Sequence, residues 1–167
     1  MKDYLLQLLD YNRWANDRLF SLIDESIADL EIPSSFNSLR KTVYHIWGAE
    51  ELWLKRVQGD STPVWQSQHF TGSFSEALDA MHRINEAWTS LIGSKPDAEL
   101  YEPINYKNVA GIAFANRLDH IVAHVCNHST FHRGQIVTML RAAGATEIPQ
   151  TDLIAYFRET ARVSATP

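Results

Sequence analysis

Apolar residues recur every three to four positions in four long segments of the chain, a spacing that places them along one face of an α-helix. These segments cover residues 3–25, 39–58, 73–93 and 116–144. Ser73 and Glu76 form a capping-box pattern at the start of the third segment, and Gly59 and Gly144 follow the second and fourth, where helices commonly end. Four amphipathic helices of similar length predict an all-α four-helix bundle.

The ends and connections of these helices carry weaker signals. Asn116 is a suitable N-cap for the fourth helix, and Gly93 is expected to end the third. The stretch over residues 100–114 is rich in β-forming residues and contains a glycine, which indicates a short hairpin. A short final helix is expected over residues 152–159. The length of the chain predicts a single domain over residues 1–167.

Composition narrows the range of functions. The hydrophobic fraction of 45% and charged fraction of 21% are those of an ordinary globular protein, and no apolar run approaches membrane length. The first segment becomes polar too early for a signal peptide, so we expect a cytoplasmic protein. A formal net charge of −5 without a Lys/Arg cluster argues against nucleic acid as the partner. One cysteine, Cys126, excludes an internal disulfide.

A row of histidines marks the fourth segment, with His120, His124, His128 and His132 each one helical turn apart. At about 100° of rotation per residue, His132 lies about 20° and His128 about 60° from the centre of the apolar stripe near Val125. His124 falls on the shoulder of the stripe, and His120 falls on the solvent side. The two inward imidazoles can chelate one metal ion, or each can be a core histidine with its own hydrogen-bond partner.

A third metal ligand would have to come from another helix. His45 flanks the apolar stripe of the second segment and is the best candidate, with a packing role as the alternative. His69 lies in a predicted loop, and His82 points away from the stripe of the third segment. Cys126 falls about 100° from the stripe centre, on the side away from His128, and is a poor candidate ligand. The expected solvent face of the second segment comprises Tyr44, Gly48, Glu51 and Lys55.

Several polar residues lie on apolar stripes. Glu50 falls near the middle of the second stripe, where a salt bridge to an arginine such as Arg13 is favoured over a metal. Asn12 and Asn16 occupy i, i+4 positions and are expected to form hydrogen bonds between helices. Arg133 falls at the edge of the buried face, where it would either anchor a substrate carboxylate at a pocket mouth or pair with Glu50. Together these residues indicate a pocket inside the bundle.

Three motifs, YNRWANDRL, HIWGAEELWL and HVCNHSTFHRGQI, occur in this order on the first, second and fourth helices. This combination resembles the DinB/YfiT-like superfamily of metal-binding four-helix bundles, a damage-inducible family distinct from the DNA polymerase of the same name. The resemblance implies an up-down-down-up bundle with His45, His128 and His132 as metal ligands. His124 and Arg133 also match motif positions. Members of the family include transferases and isomerases that use low-molecular-weight bacterial thiols.

Three imidazoles with an open coordination position are typical of a catalytic metal site. Such an ion lowers the pKa of a bound water or thiol, or polarises a carbonyl. We therefore expect a metal-dependent enzyme, a thiol-dependent S-transferase or a hydrolase, acting on a small molecule such as a low-molecular-weight thiol. One divalent ion is expected, with zinc favoured by ligand type and nickel, iron or manganese as alternatives. The alternative function is a non-enzymatic metal-binding or ligand-sensing stress protein.

A weaker inference concerns assembly. Aromatic residues such as Trp47 and Trp65 are enriched at protein interfaces, so a homodimer is expected.

Overall fold

The computed structural model describes residues 1–60 and 64–164. Residues 61–63 and 165–167, the latter at the end of the expected 1–167 domain, lie outside the described residues. The helices are α1 (Lys2–Phe20), α2 (Glu25–Ala28), α3 (Leu39–Val57), α4 (Phe74–Ser94), α5 (Leu118–Ala142) and α6 (Leu153–Ser164). Short 3-10 helices cover Gln66–Gln68 and Asp97–Tyr101, and strands β1 and β2 cover Pro103–Lys107 and Ala113–Arg117. Within the described residues, no helix is both long and apolar enough to span a membrane.

Local sequence explains where most helices begin and end. The side chain of Ser73 accepts a hydrogen bond from the Glu76 backbone and completes the predicted capping box of α4. α1 ends at Phe20, earlier than predicted, because Asp24 caps the separate helix α2. The prediction that Gly93 ends α4 is wrong, because the helix continues to Ser94 and stops before a Lys-Pro pair that disfavours helical backbone.

The predicted hairpin is present between α4 and α5, but it extends further along the chain. Strands β1 and β2 pair antiparallel, from Pro103 opposite Arg117 to Lys107 opposite Ala113. Asn116 therefore belongs to β2 and does not cap α5, which begins at Leu118. The hairpin leads directly into the helix that carries the histidine row.

Side-chain contacts fix the direction of each long helix. The contacting pairs are Asp17–His82 and Leu9–Asn85 between α1 and α4, Leu8–Cys126 and Asn16–Arg133 between α1 and α5, and Trp53–His124 and His45–His128 between α3 and α5. Residue numbers rise together between α1 and α5, whereas they run in opposite directions in the other two pairs. The predicted up-down-down-up bundle is therefore confirmed.

Among the described residues, the apolar interior contains two large clusters and a smaller one between α1 and α6. One large cluster contains Leu19, Ile46 and Ile136, and the other contains Leu9, Trp88 and Leu118, together with their neighbours. Buried polar side chains of α1, α3 and α5 lie between the two large clusters: Asn12, Asn16, Glu50, Ser129 and Arg133. We call these five residues the polar layer, and it lies at the same height in the bundle as His128 and His132.

The expected solvent face of α3 is partly wrong. Gly48 and Glu51 are buried because the chain around Ser67 packs across this side of the helix. A Cβ atom at Gly48 would lie 2.7 Å from the hydroxyl of Ser67. Glu51 accepts a hydrogen bond from the backbone of Gln66 at 3.1 Å and pairs with Lys55 at 2.7 Å. Helical periodicity reports packing against other helices and carries no information about a loop that covers a polar face.

Candidate metal centre

Three imidazoles meet between α3 and α5. The Nε2 atom of His45 lies 3.0 Å from Nε2 of His128, which lies 3.2 Å from Nε2 of His132. Potential ligand atoms of all three residues fall within 4.8 Å of one another. His132 is buried, whereas His45 and His128 are half-buried, so one side of the cluster can be reached from solvent. The structure thus brings together the three residues that the sequence analysis gave as candidate metal ligands.

The chemistry of this cluster fits a metal ion. A neutral imidazole has one N–H group, so the three converging Nε2 atoms cannot all be satisfied by hydrogen bonds to one another. A central cation would satisfy all three lone pairs at once. Two nitrogens bound tetrahedrally at about 2.0–2.1 Å from an ion lie about 3.3 Å apart, close to the observed spacing. The residues present therefore fit a metal, and His45, His128 and His132 would hold it.

The protonation of the cluster favours metal binding. Burial lowers the pKa of His128 to about 4, and repulsion from His132, His45 and His124 acts in the same direction. Burial, followed by the neighbouring His132, also lowers the pKa of His45. An imidazole binds a metal ion only when it is neutral. The lowered pKa values keep His45 and His128 in the neutral form that can act as a ligand.

Residues around the cluster hold the imidazoles in place. Nδ1 of His132 lies 2.8 Å from Oε1 of Gln135, whose amide nitrogen donates to Ser35 at 3.0 Å. The ring of Phe36 stacks on His45, with ring centroids 4.2 Å apart. Sequence reasoning missed both contacts. Gln135 lies within the quoted motif three residues after His132, which is a usable signal, whereas Phe36 lies in a loop that periodicity does not address.

The other histidines and the cysteine lie outside the cluster. His124 is one turn before His128, with ring centroids 5.9 Å apart, and burial lowers its pKa. The side chain of His120 is 62% exposed, as its position on the helix predicts. Cys126 points towards the carbonyl of Leu8 at 3.6 Å, and burial raises the pKa of its thiol to about 12. Cys126 is therefore a protonated core residue.

The polar layer connects two buried opposite charges. Oε1 of Glu50 accepts hydrogen bonds from Asn12 at 2.7 Å, from Ser129 at 2.9 Å and from Asn16 at 3.5 Å. The guanidinium of Arg133 donates to the amide oxygens of Asn12 at 2.6 Å and Asn16 at 2.8 Å. The asparagines are thus hydrogen-bond partners between helices, as the sequence predicted.

The positions of two arginines differ from expectation. Arg13 pairs with Asp10 on its own helix, so it is not the partner of Glu50. Arg133 is 2% exposed, lies over the ring of Tyr11 and also donates to Thr130 at 2.7 Å. It therefore lies in the interior and not at a pocket mouth, because α1 covers the edge of the α5 stripe.

Burial shifts the pKa of both ionisable groups in the polar layer. It raises the pKa of Glu50, against the lowering effect of its hydrogen bonds and of Arg133. It lowers the pKa of the Arg133 guanidinium, which nearby Tyr11 and Glu50 partly oppose. The polar layer links α1 and α3 to the helix that carries His128 and His132.

Comparison with known proteins agrees with this architecture. The sequence profile described as the DinB family matches residues 1–163. The protein DinB of Bacillus subtilis (strain 168) is 27% identical over 159 residues, which cover 89% of this chain and 91% of that protein.

Solved structures share the fold. A DinB-like protein from Bacillus cereus ATCC 10987 superposes with a TM-score of 0.71 at 20% identity, over 87% of this chain and 94% of that one. YfiT from Bacillus subtilis superposes with a TM-score of 0.64 at 17% identity, over 87% of this chain and 89% of that one. YfiT is described as a probable metal-dependent hydrolase with an unusual four-helix bundle topology. At these identities the likeness shows the fold alone.

Proposed function

The chain belongs to the DinB family, and from this premise we propose that it is a metal-dependent hydrolase that acts on a small molecule. The observation that carries the proposal is the convergence of three Nε2 atoms, at 3.0 and 3.2 Å, in a cluster with two half-buried members. Three protein nitrogens leave a coordination position for a reactant, which is the arrangement of catalytic sites. The description of YfiT as a probable metal-dependent hydrolase supports the same reaction class.

In the proposed site, the ion would activate the reactants and the protein would orient the ligands of the ion. A divalent ion held by His45, His128 and His132 would supply a Lewis acid that polarises a carbonyl and lowers the pKa of a bound water or thiol. Zinc suits three imidazoles best, with nickel, iron(II) and manganese as alternatives. The protein fixes the orientation of His132 through Gln135 and that of His45 through the stacked ring of Phe36.

A thiol-dependent S-transferase is the second candidate, and one observation favours it. The described group of convergent ligand atoms contains histidines alone. The buried carboxylate of Glu50 is engaged by three donors, so it is not available as a base for water. A thiol needs less help to lose its proton than water does, because its pKa is about 8.5. A low-molecular-weight thiol would therefore suit a site of this composition.

Product analysis separates the two reactions. Protein loaded with zinc, nickel or manganese is incubated with a panel of small esters, amides and thiol-reactive electrophiles, with and without cysteine or glutathione. Mass spectrometry of the products then distinguishes the two: hydrolysis adds water in the absence of thiol, whereas transfer gives a thioether or thioester only when thiol is present. The matched control is His128→Ala, which should lose either activity. Turnover that is unchanged in His128→Ala contradicts both reactions.

Metal removal tests the non-enzymatic alternative, in which the ion holds α3 and α5 together or senses a ligand. The bundle is expected to stay folded without metal, because two apolar clusters on either side of the site pack the four long helices. Unfolding on chelation, followed by circular dichroism, would favour the structural role. A single domain over residues 1–167, a cytoplasmic location and a homodimer remain proposals, although Trp47 is fully buried in the core and gives the homodimer no support. Size-exclusion chromatography with light scattering tests the homodimer.

A further inference from the structure

A cavity of about 260 Å³ lies between α3, α5 and the hairpin. It is lined by Trp53, Tyr106, Asn116, His120, Ile121 and His124. Two aromatic rings, one apolar side chain and three polar groups surround it. This mixture is typical of a small-molecule site, in which apolar walls supply contact area and a few polar groups orient the ligand.

The cavity adjoins the histidine cluster. His124 lines it, and the ring of His124 lies with its centroid 5.9 Å from that of His128 and 5.3 Å from that of Trp53. Because α3 and α5 run in opposite directions, Trp53 and His124 lie on the same side of the cluster, beyond His45 and His128 respectively. His124 precedes His128 by four residues, so the cavity begins about 6 Å along the same groove.

The polar side chains of the cavity can donate hydrogen bonds to a ligand. The hydroxyl of Tyr106 donates to Oδ1 of Asn116 at 2.8 Å, which leaves the NH2 group of Asn116 for a ligand. None of the described lining residues is a carboxylate. Asp119, whose carboxylate lies 3.9 Å from His120, accepts two hydrogen bonds from Arg117, at 3.1 and 2.7 Å. The cavity thus favours a ligand that accepts hydrogen bonds.

The buried side chain of Arg56 packs against the two aromatic rings that line the cavity. Arg56 is 7% exposed, and its guanidinium carbon lies 4.7 Å from the ring centre of Trp53 and 4.9 Å from that of Tyr106. It donates one hydrogen bond, to the carbonyl of Lys107 at 3.2 Å, while its Nε has no partner. No carboxylate of the described residues forms an ion pair with it. A buried charge without a counterion is unfavourable, so an anion nearby would stabilise it.

We propose that this cavity binds the carboxylate end of an aromatic substrate whose reacting group extends to the histidine cluster. The proposal rests on the proposed function for the identity of the reacting end, but the binding of the carboxylate does not depend on a metal. The rings of Trp53 and Tyr106 line the cavity and provide apolar contact area for an aromatic group. Asn116 and the imidazoles provide donors, and Arg56 supplies the positive potential that selects an anion over its neutral analogue.

Binding of benzoate, compared with its neutral analogue benzamide, tests this site. Both are titrated into zinc-loaded full-length protein and followed by the NMR shift of the Trp53 indole N–H, assigned with Trp53→Phe. Benzoate is expected to bind about tenfold more tightly than benzamide, a difference of about 1.4 kcal/mol. Equal binding of the two compounds, or no shift at Trp53, overturns the proposal.

Two isosteric Asn→Asp variants test where the carboxylate of benzoate binds. Asn116→Asp keeps the acceptor for Tyr106 but replaces the donor with a negative charge, so it should weaken benzoate about tenfold or more while changing benzamide little. Asn105→Asp adds the same charge on an exposed position of β1 outside the cavity and is the matched control. Equal weakening by both variants would show a general charge effect and would overturn the site.

A third variant separates this proposal from the metal chemistry. His128→Ala should abolish turnover if the proposed function is correct, yet it should leave the preference for benzoate over benzamide in place. If benzoate binding disappears in His128→Ala and survives in Asn116→Asp, the carboxylate binds at the histidine cluster and the cavity proposal is wrong. If benzoate binding survives while no metal binds, the proposed function fails and the cavity stands.

Discussion

Glu50 and Arg133 carry opposite charges in the interior of the bundle and are joined through asparagine amides. Asn12 accepts from Arg133 at 2.6 Å and donates to Glu50 at 2.7 Å, and Asn16 makes the same two contacts at 2.8 and 3.5 Å. Glu50 is 3% exposed and Arg133 is 2% exposed. Each charge is thus desolvated, and each depends on the other and on the amides for compensation.

Removing the cation of this arrangement is expected to destabilise the fold. Arg133→Met keeps the length of the side chain but leaves the Glu50 carboxylate buried without an opposing charge. We expect a loss of about 3–5 kcal/mol in the free energy of unfolding, the usual result of breaking a buried pair on one side. Urea denaturation followed by circular dichroism measures it, with Arg141→Met at the exposed end of the same helix as control.

A second variant tests whether Arg133 is a structural partner of Glu50 or a substrate anchor. The double variant Glu50→Gln with Arg133→Met should recover part of the lost stability, because it leaves no uncompensated charge. A stable Arg133→Met protein with a raised KM for an identified substrate would contradict this prediction. That result would restore the role of Arg133 as a substrate anchor.

Acid should destabilise the metal-free protein through His128. Its pKa in the folded protein is about 4, whereas the unfolded chain has the ordinary value of 6.5. The unfolded state therefore binds more protons between these two values, and stability that is complete above about pH 6.5 falls as the pH drops towards about 4. Urea unfolding of chelator-treated protein between about pH 7 and 4.5 measures the slope. His128→Ala should show a shallower slope, and an identical slope in the two proteins would exclude His128 as the cause.

Metal content tests the ligand assignment. Purified protein should carry about one divalent ion per chain, and His128→Ala or His132→Ala should lower this sharply, because a tridentate site becomes bidentate. His120→Ala is the control, since its side chain is 62% exposed on the same helix. Inductively coupled plasma mass spectrometry gives the metal content of each variant. Equal loss in His120→Ala would show that the ion binds elsewhere in the row.

Periodicity predicted the features that depend on which face of a helix is buried. It placed His128 and His132 inward and His120 outward, and it brought His45 to the same region. It predicted the wrong burial where a loop, and not another helix, covers a polar face. The burial of Glu51 depends on a loop, which no pattern within α3 describes.

Arg133 shows a second limit of the sequence. Its position about 80° from the stripe centre allowed either a pocket mouth or a buried contact. Only the placement of α1, with Asn12 and Asn16 opposite the guanidinium, decides between them. The donor-rich cavity at Tyr106 and Asn116 also required the hairpin register, which the sequence predicted only in outline.

Gln135 should control metal affinity without being a ligand. Its Oε1 lies 2.8 Å from Nδ1 of His132, so it fixes the tautomer that leaves the Nε2 lone pair directed at His128 and His45. Gln135→Leu removes this acceptor and should weaken metal binding about 10–100-fold. Gln135→Glu retains an acceptor at the same position and should bind at least as tightly as the wild type. Competition with a fluorescent zinc chelator measures both affinities, and thermal melting of the metal-free proteins checks that the fold is intact. Gln135→Leu and Gln135→Glu could instead weaken metal binding equally. That result would mean that the hydrogen bond from Gln135 to Ser35 determines the affinity. The assignment of Gln135 as the partner of His132 would then be wrong.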